Sequence, residues 1–191
     1  MTHAVTHRSS PRTPPAYRHH RPFPTGLVVG LGLILSAVVL SVVLLYGAGN
    51  GPVRVGAAMP DFTLSSVTGQ AVHLADYKGQ VVLVNAWATW CPPCKAEMPT
   101  LNDFYSQHRA QGFQLLAINS GDSQAAVAGF IAQTQYTFPV LLDPGENQLT
   151  RLGVHGLPTS FVVGRDGLVK DIHIGEFLPQ ELAAEVAPLL Q

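Results

Sequence analysis

Val81-Val82-Leu83-Val84-Asn85-Ala86-Trp87-Ala88-Thr89-Trp90-Cys91-Pro92-Pro93-Cys94 is the stretch on which the reading of this chain turns. Its first seven residues are a continuous apolar run of the kind that forms a strand buried on both faces. The run leads into the only two cysteines of the chain, spaced Cys-X-X-Cys. A strand running into this spacing at a helix start is how a dithiol/disulfide redox centre is built. A purely structural disulfide is a poor reading, because so small a closed loop brings little chain-entropy benefit.

Outward from this stretch the pattern alternates strand and helix. Phe62–Leu64 and Ala71–Leu74 suggest a hairpin around a turn at Ser65–Gln70. Pro92 to about Ala110 reads as a helix with Met98, Leu101, Phe104 and Tyr105 on one side. Phe113–Asn119 is the next buried strand, Ser123 caps a helix running to Gln133, Pro139–Leu142 is a short strand and Gly145–Leu152 a short helix. Thr159–Val163 and Leu168–Ile174 are strands joined by a turn with Asp166-Gly167 chemistry, and Pro179–Leu189 is a closing helix. The order β-α-β-α-β-(α)-β-β-α implies parallel strands first and an antiparallel edge last, hence a mixed α/β sheet with helices on both faces.

The front of the chain has a different character. Residues 1–25 hold four arginines, four histidines, many prolines and no acid, a composition expected to be a disordered tail. Leu27 to Tyr46 carries no charge and is long enough to cross a bilayer, so residues 26–46 are expected to be a transmembrane anchor. A cleaved signal peptide is the rival, but Tyr46-Gly47-Ala48 matches a cleavage site poorly. Residues 47–58 are small and Gly-rich and read as a linker, leaving residues 59–191 as the folded domain. The net charge of -1 hides an asymmetry: the tail is basic, whereas residues 26–191 have seven Lys/Arg against twelve Asp/Glu. Arginine before the span and acid after it place the N-terminus in the cytoplasm and the domain outside. A nucleic-acid partner is not expected.

The chemistry follows from position. Cys91 falls at the start of the helix beginning at Pro92, where free N–H groups and the helix dipole favour a thiolate. It should be the exposed attacking thiol, with Cys94, one turn in, as the buried resolving one. Pro92 and Pro93 suit the first turn, and they remove two donors that would otherwise stabilise the thiolate, a lean toward a reducing dithiol. Glu97 is one turn beyond Cys94. It reads either as a carboxylate that takes the Cys94 proton or as a surface acid complementing the helix N-terminus. Asn85, in a buried strand, needs hydrogen-bond partners. Pro158, in His155-Gly156-Leu157-Pro158-Thr159, belongs at a strand start. His155 reads as a solvated loop residue, a proton carrier or a metal ligand.

These residues carry a family resemblance. From about Met59 onward the chain resembles the thioredoxin-like fold, and within it the membrane-anchored TlpA/ResA-like disulfide reductases, relatives of the CcmG/DsbE proteins. The resemblance rests on Val82 through Pro99 (VLVNAWATWCPPCKAEMP) and on Gly153 through Phe161 (GVHGLPTSF). It implies Cys91 as nucleophile, Cys94 as resolving cysteine, Pro158 as the cis-proline beside the dithiol, Glu97 as the acid of the ResA-like subgroup and Pro99 as a helix kink. Asn85 stands where thioredoxin has a buried aspartate. Trp90, Pro92, Leu157, Pro158 and Thr159 are expected to meet the substrate. One departure is Thr159, where CcmG-type proteins have glutamate.

The resulting expectation is an extracytoplasmic thiol:disulfide oxidoreductase that reduces disulfides in exported proteins, such as apocytochrome c or oxidase-assembly proteins. A membrane thiol carrier would re-reduce it, and no cofactor is expected beyond the dithiol. The alternatives are a disulfide oxidase or isomerase, and a copper chaperone using Cys91, Cys94 and His155. A peroxiredoxin site wants Thr three residues before its attacking cysteine, and Ala88 occupies that place.

Overall fold

The computed structural model describes residues 34–41 and 52–191. Residues 34–41 form a helix, α1, whose apolar side chains Ile34, Leu35, Val38, Val39 and Leu40 are exposed. The rest of the expected anchor, the basic tail and the start of the linker lie outside the described residues. Among the described residues no helix is long and apolar enough to cross a membrane.

The second unit is built on a seven-stranded sheet. In chain order its strands are β1 (Thr63–Ser66), β2 (Ala71–His73), β3 (Val81–Trp87), β4 (Phe113–Ser120), β5 (Val140–Asp143), β6 (Thr159–Val163) and β7 (Val169–Ile174). The sheet order is β2-β1-β5-β4-β3-β6-β7. β3, β4 and β5 run parallel, while β6 and β7 add antiparallel on one edge and the β1–β2 hairpin on the other. The mixed sheet expected from the element order is therefore present. The docking of the first hairpin beside β5 had no signal in the local pattern.

β3 and β4 are buried along their whole length, so their side chains alternate between two cores. Val81, Leu83 and Trp87 join Met98 and Leu101 of α2 (Pro92–His108), Val127 of α3 (Gln124–Ile131) and Leu182 of α5 (Pro179–Glu185). Val82, Val84 and Ala86 join Phe161 and, from α4 (Asn147–Leu152), Leu149 and Leu152. Asn85 has the parity of the first set, which turns its amide toward α2.

Several element ends differ from the expectation, among them β1, which runs on to Ser66 rather than turning at Ser65, and α3, which stops at Ile131 rather than Gln133. The closing helix stops at Glu185, and Ala187–Leu190 is a 3-10 turn, because Pro188 has no N–H to continue the α pattern. The helix after Cys91 ends at His108, and a 3-10 turn over Arg109–Gln111 leads to Gly112, whose φ of 83° closes it in the left-handed region. The described part of the expected linker is fastened to the domain: Gly56 N–H donates to Val169 O, Met59 N–H donates to Gly167 O, and Ala58 bridges Leu168.

Candidate active site

Cys91 is the N-cap of α2, with extended φ and ψ of -90° and 109°. The prolines at the first two helical positions carry no N–H, so the first amide able to reach the cap is that of Cys94. It donates to Cys91 Sγ at 3.3 Å. The two sulfurs are joined as a disulfide, and the Cα atoms are 5.3 Å apart. The local sequence thus explains both the position of the sulfur and the small number of donors around it.

Cys94 is fully buried, as expected, but Cys91 is only 3% exposed rather than an open thiol. The reason is its place in the wall of a cleft of about 410 Å³. Trp90, Pro92 and Pro93 stand with it on the α2 side, and His155, Gly156 and Leu157 form the opposite loop. Access to the sulfur is through this cleft. Trp90, 64% exposed, offers an indole at its mouth.

The Leu157–Pro158 peptide is cis and leads directly into β6. Pro158 and Thr159 are buried, and the Thr159 hydroxyl donates to the Gly156 carbonyl at 2.8 Å. Trp90, Pro92 and Leu157 border the cleft, whereas Pro158 and Thr159 are not among the residues that line it. His155 is exposed and borders the same cleft.

Glu97 is no surface acid; it is completely buried one turn along α2 from Cys94. Its Oε1 accepts from Asn85 Nδ2 at 2.8 Å, and its Oε2 accepts from the Phe177 backbone N–H at 2.9 Å. Asn85 Nδ2 also donates to Ser160 Oγ at 2.9 Å. Burial pushes the Glu97 carboxyl up from 4.5 to about 7, and the two donors only partly oppose this. Such a group changes charge near neutral pH, as a proton acceptor for a thiol requires.

Several contributors had no sequence signal. Asp122 accepts from Thr89 N–H at 2.8 Å and from Asn119 Nδ2 at 2.9 Å, which anchors the loop before Cys91. Ser120 donates to Glu146 Oε1 at 2.6 Å in the floor of the cleft. Phe177 reaches Glu97, and Ser160 reaches Asn85, only through the fold. The arrangement suits two-electron exchange: a capped sulfur at a cleft, a second sulfur behind it and a buried carboxyl that titrates near 7.

Residues 55–172 match the model of the AhpC/TSA family. The thiol-disulfide oxidoreductase ResA of Geobacillus thermodenitrificans is 35% identical over 150 residues, covering 78% of this chain and 86% of that protein. The crystal structure of a thiol:disulfide interchange protein of the thioredoxin family from Chlorobium tepidum superposes with a TM-score of 0.64 at 27% identity, covering 74% of this chain and all of the other. A secreted thiol-disulfide isomerase from Corynebacterium glutamicum gives a TM-score of 0.64 at 26% identity, over 69% of this chain and 84% of the other.

Proposed function

Because the chain belongs to the AhpC/TSA family and is a ResA-like thiol-disulfide oxidoreductase, we propose that it works in the reducing direction, on disulfides of exported proteins. The observation that carries this reading is the N-cap sulfur of Cys91, which receives one amide donor because Pro92 and Pro93 supply none. A poorly stabilised thiolate makes the dithiol a better electron donor.

Electron flow proceeds in two exchanges. The Cys91 thiolate attacks a substrate disulfide, forms a mixed disulfide and releases one substrate thiolate. Glu97 takes the Cys94 proton, and the Cys94 thiolate attacks Cys91 Sγ. The Cys91–Cys94 disulfide forms and the second substrate sulfur leaves. Two electrons pass to the substrate, and the enzyme ends in the disulfide state seen here.

The same proposal places the domain outside the cytoplasm, held by residues 26–46 behind a cytoplasmic basic tail of residues 1–25. The charge-free run after four arginines and the acidic balance beyond it support this reading. Substrates are cysteine-containing exported proteins, with apocytochrome c and oxidase-assembly proteins as the suggested class. A membrane thiol carrier returns the electrons. The dithiol is itself the redox centre, so the cycle calls for no nucleotide, flavin or metal.

The test is the two-electron reduction potential of the full-length chain in dithiothreitol redox buffers. A value at or below about -230 mV supports the reducing role. A value near about -120 mV, that of a strong disulfide donor, overturns the direction.

A further inference from the structure

A second cluster of chemically able side chains lies at the seam between the edge strand β7 and α5. Asp171 and His173 are two positions apart on β7 and so share a face. Glu185 ends α5. One ligand atom from each of the three lies within 4.8 Å of the others, and all three residues are partly buried.

The hydrogen-bond pattern around His173 decides what this cluster can hold. Nε2 lies 3.3 Å from the Glu176 carbonyl oxygen and 3.9 Å from Glu181 Oε2. Both neighbours only accept, so Nε2 carries the ring proton. In the neutral ring, the lone pair of Nδ1 then faces Glu185 Oε2 at 3.7 Å. That oxygen is shielded from solvent and has no hydrogen-bond partner. A lone pair facing a shielded carboxylate oxygen, with a second carboxylate beside it, is repulsive unless a proton or a metal cation sits between them.

We propose that Asp171, His173 and Glu185 form a divalent-cation site suited to Zn²⁺. One imidazole and two carboxylates match the ligand preference of this ion, and its charge balances both carboxylates. Tetrahedral bonds of about 2.0–2.2 Å set ligand atoms roughly 3.3 Å apart, so groups that now lie within 4.8 Å need to draw in by up to about 1.5 Å, with a fourth position open to water. Glu181 and the Glu176 carbonyl at Nε2–H form the outer shell that orients a ligating histidine. The His173 ring stacks on Phe177 with centroids 3.8 Å apart and planes 14° apart, and the Phe177 amide holds Glu97. A bound ion therefore lies two contacts from the buried carboxyl behind the dithiol.

The test is calorimetric titration of Zn²⁺ into the full-length protein with its disulfide closed, so that neither cysteine is a ligand. His155 and the histidines of the tail supply a background common to every variant. Wild type is expected to bind one more equivalent than His173→Gln and than Glu185→Gln, or to bind it at least about tenfold more tightly. Zn²⁺ is also expected to raise the Tm of wild type above that of Glu185→Gln, a near-isosteric change. Equal stoichiometry and affinity in all three proteins would mean that the cluster holds only a proton, and the proposal would fail. The oxidised protein does no exchange, so this outcome is independent of the redox direction.

Discussion

The backbone N–H of Phe177 donates to Glu97 Oε2 at 2.9 Å although 80 positions separate the two residues. The loop after β7 thus fixes a carboxyl carried by the active-site helix, deep enough that its proton is lost only at about pH 7. In the unfolded chain that proton leaves near 4.5. The contribution of this carboxyl to the stability of the oxidised protein is therefore full below about pH 4.5, falls as pH rises to about 7, and is level above. The expected loss is on the order of 3 kcal/mol. Glu97→Gln is expected to remove this slope, as read by urea unfolding at pH 5 and pH 8. It is also expected to slow the resolving step about 100-fold, because no carboxylate takes the Cys94 proton.

Cys91 borders the cleft and Cys94 lies behind it with no exposure. Cys94→Ser is expected to accumulate mixed disulfides with exported proteins, seen as reducible bands on non-reducing gels. Cys91→Ser is expected to give none. Trapping through Cys94 instead would reverse the assigned roles.

Pro93 sits at the second position of α2, where an ordinary residue would present an N–H to the cap. Pro93→Ala restores that donor to the Cys91 sulfur. The thiolate gains stability, and the reduction potential is expected to rise by about 10–30 mV. No change, or a fall, would show that the missing amide does not set the potential.

Trp90 is the large apolar side chain left open at the cleft mouth. Trp90→Ala is expected to raise KM for a protein disulfide about tenfold, while the rate with a small disulfide such as oxidised glutathione stays within twofold. Equal losses on both substrates would place Trp90 in the chemistry rather than in substrate docking.

The sequence by itself determined the redox centre and the central architecture. The apolar run Val81–Trp87, the Cys-X-X-Cys at a proline-started helix and the strand–helix alternation are local patterns. Local backbone preference and burial periodicity are enough to decide them. Tertiary structure alone decided the rest. Glu97 is a surface acid or a buried titrating group according to what covers α2. Phe177, from the segment after β7, and Asn85, from β3, hold Glu97, and Ser160 on β6 holds Asn85 in turn. The low exposure of Cys91 depends in the same way on the loop His155–Leu157 across the cleft, and the cluster of Asp171, His173 and Glu185 depends on α5 returning over the edge strand. Desolvation and long-range hydrogen bonds are properties of what comes to lie beside a residue, and they have no counterpart in its neighbours along the chain.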